Sequence, residues 1–160
     1  MNTEIRLPVE KQLRICDSNS ELPDCRPNIM CIYYLMHDPG SGLIKIGKTH
    51  HKSQKNNNRV GVNQRLYKHR ANLLKHNYIN TRLSILKLCY TKYNNTELYD
   101  KFEVLLRNEF LQNGFINPDI SQNNKKDTDW FIYTGNNVQY LLSMFIAAVN
   151  NFNGVDNRLY

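Results

Sequence analysis

Tyr33 and Tyr34, Lys45, the Arg65/His69 pair four residues apart, and Glu103 are residue types that together could act on a phosphate ester. Hydrolysis of a phosphodiester needs an activated water, positive charge against the phosphate oxygens and help for the leaving oxygen. A tyrosine can serve as the base only if nearby positive charge brings its pKa down from about 10. Tyr33, with Lys45 across a hairpin, would meet that need. Successive strand side chains face opposite ways, so only one of Tyr33 and Tyr34 can share a given face. The planar fork of Arg65 can hold two phosphate oxygens at once. His69, one helical turn further on, is a proton donor or second phosphate contact, or simply a surface histidine on a basic helix. Glu103 falls at the border of an apolar helix face, where a carboxylate suits one Mg²⁺ or Mn²⁺ with water and phosphate oxygens completing the shell. Its ordinary alternative is a pair with Arg107, worth about 0.3–0.5 kcal/mol. Glu109, nearer the centre of the same face, competes for the ligand role.

Charge points the same way. The net charge is +7, and no Asp or Glu occurs between Pro39 and Thr96, a span of 58 residues carrying twelve of the 21 Lys and Arg. The remainder holds nine basic against fourteen acidic residues. Such segregation makes a positive field suited to a polyanion. DNA is the expected partner, with RNA left open and an anionic membrane surface second because no amphipathic basic helix dominates. Lys48, Lys52, Lys55, Arg59, Lys68, His69 and Arg70 are the candidate nucleic-acid contacts, with Lys75 beside them. The C-terminal apolar run near 140–149 is too short to span a bilayer and no signal peptide is visible, so a soluble intracellular protein (cytoplasmic, or nuclear in a eukaryotic host) is expected. Cys16, Cys25, Cys31 and Cys89 form no close pair and read as reduced thiols.

The elements that would position these residues follow from periodicity. Residues 30–36 are β-branched and aromatic, a buried strand; 38–42 (DPGSG) is turn chemistry; 43–47 returns as the second strand. A polar insertion, 50–58, precedes a helix to about Lys75 with Val62, Leu66, Leu73 and Leu74 inward. A strand is expected over 82–91. A second helix over 96–112 has Leu98, Phe102, Leu105, Leu106 and Phe110 inward, followed by a loop over 113–128. A short strand from Trp130 packs its Trp130 and Phe131 on Phe102 and Phe110, and a closing helix runs over 137–150. The fold class is α+β: a small antiparallel sheet in ββαβα order, then a short strand and a C-terminal helix, flanked by helices. An irregular extension (1–28) precedes the domain (29–152), and a tail (153–160) follows.

Cys31-Ile32-Tyr33, Lys45-Ile46-Gly47, the arginine of Asn63-Gln64-Arg65-Leu66, Glu103 with Leu106 and Phe110 after it, and Asp129-Trp130-Phe131 occur in the order of a known family. The chain resembles the GIY-YIG endonuclease superfamily, in particular its phage-type DNA-binding branch with a K-I-G second motif, from about Ile29 to Asn150. The resemblance implies Tyr33 as the base, Lys45, Arg65 as the phosphate clamp and Glu103 as the Mg²⁺ or Mn²⁺ ligand of a DNA endonuclease. It also favours Tyr33 over Tyr34 and Glu103 over Glu109. The chain departs from the pattern in having Cys31 for the first glycine and Lys45 for the second tyrosine. The family's late asparagine falls to Asn108 or Asn117. The alternatives are a non-catalytic DNA-binding module on the same fold and a regulator that contacts another protein; fold alone does not choose among them. Oligomeric state is not legible.

Overall fold

A computed structural model describes residues 13–16, 31–50, 58–91 and 96–158. Its frame is a five-stranded antiparallel sheet in the order β1-β4-β2-β3-β7, built from β1 (Arg14–Cys16), β2 (Cys31–Asp38), β3 (Leu43–His50), β4 (Ser84–Thr91) and β7 (Trp130–Ile132). A separate two-stranded hairpin joins β5 (Ser121–Gln122) to β6 (Lys125–Lys126). Helices α1 (Asn58–Lys75), α2 (Thr96–Gln112) and α3 (Val138–Arg158) complete the fold. This is the α+β arrangement expected, with the hairpin 31–50, all three helices and the strands at 84–91 and 130–132 in their expected places.

The middle strand, β2, is buried along its whole length because both of its faces are covered. Cys31, Tyr33 and Leu35 enter a core with Phe102, Leu106 and Phe110 of α2 and Phe145 of α3. Ile32, Tyr34 and Met36 enter a second core with Val62, Leu66 and Leu73 of α1 and with Trp130. The alternation of β2 therefore feeds two layers from one strand. The β2–β3 turn is organised by Asp38, whose buried carboxylate accepts hydrogen bonds from the Gly40 and Ser41 amides, the Ser41 hydroxyl and the Arg82 amide. Gly42, at φ +69°, supplies the left-handed residue that closes this turn.

Both α1 and α2 stop in the same way. Asn77 (φ 69°) follows α1, with the Tyr78 amide donating to Leu73 O and the Asn77 amide to Leu74 O. Gly114 (φ 86°) follows α2, with Phe115 donating to Phe110 O. These are left-handed caps that satisfy the last helical carbonyls.

Several expectations need correction. Leu74 is 57% exposed; the inward stripe of α1 is Val62, Leu66, His69 and Leu73, spaced at one helical face. Trp130 does not pack on Phe102 and Phe110: only Phe131 does, stacking on Phe110 at 5.5 Å, because the two are adjacent in a strand and face opposite layers. Part of the expected N-terminal extension is a strand, β1, paired with β4, while 1–12 and 17–28 lie outside the described residues. Helix α3 runs through the expected tail boundary at 153. The expected loop over 113–128 contains the β5–β6 hairpin. Among the described residues no helix is long and apolar enough to cross a membrane.

Candidate active site

β7 pairs with β3 only over Leu43–Lys45, and the Ile46 amide makes one further bond to Asp129 O. Past that point this edge of β3 opens onto a cleft of about 290 Å³, so side chains from both sheet layers reach one space. Tyr34, Lys45, Arg65 and His69 come from the α1 side, Lys48 and Glu103 from the α2 side, and the β5–β6 hairpin forms the opposite rim. Of the four residues expected to do chemistry, the cleft gathers Lys45, Arg65 and Glu103, together with the expected contacts Lys48 and His69.

Tyr33 is the exception and a correction. Its ring is fully buried edge-on to Phe102 at 4.7 Å, and its hydroxyl donates to Tyr99 O at 2.9 Å. Burial, reinforced by Cys31, pushes its pKa up, and its hydroxyl faces a backbone carbonyl that cannot take its proton. The positive charge expected beside it is also elsewhere, since Lys45 pairs in register with Met36 and lies in the other layer. The residue in the cleft is Tyr34. Its register partner is Gly47, and a Cβ on Gly47 would collide with the Tyr34 phenol oxygen. The absence of a side chain at the glycine of K-I-G is thus what lets the tyrosine lie across β3.

Tyr34 Oη meets His69 Nε2 at 2.8 Å. His69 is not a surface residue: it is buried on the α1 stripe, edge-on to Trp130 at 5.9 Å. Burial first, and then the Lys45 charge, lower its pKa to about 3, so the imidazole is neutral at physiological pH. Burial also holds the Tyr34 phenol protonated, although Arg65 pulls the other way.

Lys45 is itself buried, 5.4 Å above the Trp130 ring, with Nζ donating to Asp127 at 2.6 Å. Burial alone would raise the Asp127 pKa; the Lys45 contact outweighs it and holds the carboxyl below its usual range. Lys48 donates to Glu103 at 2.5 Å and lies 3.4 Å from Asp100. Burial opposes its charge, but Glu103 more than compensates and raises its pKa. Arg107, the expected helical partner of Glu103, instead donates to Asp129 at 2.7 Å. The acid-free span is thus answered in space by acids from beyond it, through contacts across as many as 82 residues. Glu109 is not in the cleft; its carboxylate accepts from Asn113.

The remaining expected contacts divide. Lys68 is exposed on α1. Arg70 is committed to structure, its guanidinium donating twice to Leu83 O. Lys52, Lys55 and the side chain of Arg59 lie outside the described residues. Asn117 donates to the Thr128 and Trp130 carbonyls and so holds the chain entering β7, while Asn108 is exposed on α2. Cys16, Cys31 and Cys89 are buried thiols outside any disulfide, as expected; burial pushes the Cys31 thiol up to about 12, keeping it unreactive.

Sequence reasoning missed Tyr34, Asp127 and the hairpin rim. His69 was signalled by its place on the Val62–Leu66–Leu73 stripe, and the hairpin by Asn123-Asn124, residues that tolerate positive φ. Asp127 carried no local signal. Among the described residues no group of three or more His, Cys, Asp and Glu is arranged to hold a metal ion. Comparison of the chain with family models, curated proteins and solved structures finds no match.

Proposed function

We propose that this protein is a metal-dependent DNA endonuclease on a GIY-YIG-like fold, with its reactive centre in the cleft at the open edge of β3. One observation carries the reading: a phenol, a neutral imidazole, a guanidinium and a half-buried carboxylate converge there from β2, α1 and α2, beside two lysines of β3. These are the groups that phosphodiester hydrolysis calls for.

Tyr34, not Tyr33, takes the part of the base. In the tautomer that leaves His69 Nε2 unprotonated, the Tyr34 hydroxyl donates to it, so as Tyr34 Oη receives a proton from water it can pass its own to the imidazole. An anionic phosphate in the cleft raises the proton affinity of His69 and helps this transfer. Arg65 clamps the phosphate. Lys45 stays fixed by Asp127 and orients Trp130 and His69 more than it binds substrate.

Glu103 fits a single divalent cation of the Mg²⁺ or Mn²⁺ kind. Its Oε1 accepts from Lys48 as Asp127 and Asp129 accept from Lys45 and Arg107, but Asp127 uses both oxygens, the second accepting from the Asp129 amide, whereas a carboxylate bonded through one oxygen keeps further lone pairs for a metal. Such an ion, when bound, supplies charge stabilisation for the phosphate and its leaving oxygen.

The Lys48–Glu103 contact also supports a second reading, a DNA-binding module in which that carboxylate is neutralised and cleavage is lost. Incubation of supercoiled plasmid with Mg²⁺ or Mn²⁺, beside Glu103→Gln and an EDTA control, decides. Nicking by wild type alone is expected. Salt-sensitive DNA binding without cleavage in any metal selects the module, and the absence of both rejects the proposal.

A further inference from the structure

The hairpin on the far rim of the cleft is absorbed by none of this chemistry. Asn123 and Asn124 both have positive φ, 54° and 63°, the pattern of a tight type I′ connection whose twist matches its strands. Its base is mounted firmly. Ile120 is fully buried, the Asp127 amide donates to Ile120 O at 2.8 Å, and the Ser121 amide donates to His76 of the α1 cap at 3.2 Å. Its tip is the reverse: Asn123, Asn124, Lys125 and Lys126 are all exposed. The tip carries two positive charges and three side-chain amides, counting Gln122, with no apolar residue. The neighbouring acid Asp127 is occupied by Lys45. An exposed, wholly polar finger on a hydrogen-bonded base gives the core nothing to pack.

We infer that the β5–β6 hairpin is a finger that enters the major groove of duplex DNA beside the cleft, Lys125 and Lys126 holding phosphates while the amides of Gln122, Asn123 and Asn124 meet base edges. The inference rests on the DNA reading above and adds to it the part of the chain that reads the substrate. A two-stranded ribbon fits the B-form major groove, about 12 Å wide, and Asn or Gln can bond adenine through two atoms there. The deep, narrow major groove of A-form RNA does not admit it. Because Gln122, Asn123, Lys125 and Lys126 line the same cleft as Arg65 and Glu103, a groove held by the finger places the adjoining backbone at the reactive groups.

The test uses the full chain with labelled duplex DNA, the matching RNA duplex and a randomised duplex pool. Lys125→Ala/Lys126→Ala should weaken DNA binding and flatten its salt dependence, lowering the slope of log K against log salt by roughly 2. Gln122→Ala/Asn123→Gly/Asn124→Gly keeps the turn, since glycine accepts positive φ, and should erase an adenine preference that wild type selects from the pool. Unaltered melting temperatures show that both variants fold. Wild type that binds DNA while the lysine variant matches it in affinity and slope overturns the finger and leaves the DNA reading standing. So does a base preference that is absent from wild type or kept by the glycine variant, or equal affinity for the RNA duplex. Wild type that binds no nucleic acid at low salt overturns both.

Discussion

The Tyr34 hydroxyl and the His69 imidazole meet 2.8 Å apart between β2 and α1, with Gly47 beneath the phenol and Trp130 against the imidazole. Neither group is at the surface, and neither is charged at neutral pH. Their contact is a path for a proton rather than an ion pair.

Tyr34 and Tyr33 should therefore separate cleanly. Tyr34→Phe is expected to cut plasmid nicking by about 10²–10⁴-fold, the usual range for loss of an acid–base group. Tyr33→Phe should keep activity and lose about 1 kcal/mol of stability with its bond to Tyr99 O. Nicking rates and urea melts of the two variants check this; equal loss of activity from both would remove Tyr34 from its role.

His69 gives stability a pH dependence. Its folded pKa of about 3 lies below the ordinary value near 6.5, so below that value the unfolded chain takes up a proton that the fold refuses. Stability should decline as pH falls from about 6.5, by up to ~1.4 kcal/mol per pH unit from this residue. His37, also lowered by burial despite Asp38, adds in the same direction. His69→Gln is expected to flatten the decline in urea titrations between pH 6.5 and 4, roughly the span set by these two values.

Lys45→Met should cost at most about 3–5 kcal/mol, because it leaves the half-buried Asp127 carboxylate without its cation. Asp127 also changes sign. In wild type its lowered pKa contributes stability that is full above about pH 4 and is lost as pH falls through the lower folded value. In Lys45→Met the largest opposing cause is gone and only weaker ones, chiefly the Asp129 amide bond, still counter burial, so that pKa rises and acidification should stabilise the variant relative to wild type. Pairing it with Asp127→Asn should recover most of the loss. Denaturation of wild type and the two variants across pH measures all of this.

Gly47→Ala forces a methyl into the Tyr34 ring, whose Cζ would sit 2.5 Å from it. A cost of about 1–3 kcal/mol is expected from overpacking, together with loss of cleavage because the phenol is displaced. A variant that melts and nicks like wild type would show that the ring has room to move.

Most of the scaffold was legible because its signals are local. The apolar stripe of α2 through Leu98, Phe102, Leu106 and Phe110 is a helical period, and Asp38 through Gly42 is turn chemistry. The site was less so. In β2 every residue is buried, so alternation in polarity offered no guide to which tyrosine faced which layer, and a step of one residue exchanges the two. Trp130 and Phe131 posed the same ambiguity on β7. The Lys45–Asp127 and Lys48–Glu103 contacts join residues 82 and 55 apart, which only the closed sheet brings together.

One contact between the entry to β1 and α3 bears on the order of assembly. The Asn153 side chain accepts from the Leu13 amide at 3.0 Å and donates to the Leu13 carbonyl at 3.1 Å, imitating a neighbouring strand with a single carboxamide. On a ribosome, Leu13 leaves the exit tunnel 140 residues ahead of the carboxamide that satisfies its backbone. The outer edge at β1 is therefore a late event in biogenesis, and a nascent chain paused before Asn153 emerges would carry a nearly complete sheet with a loose hem.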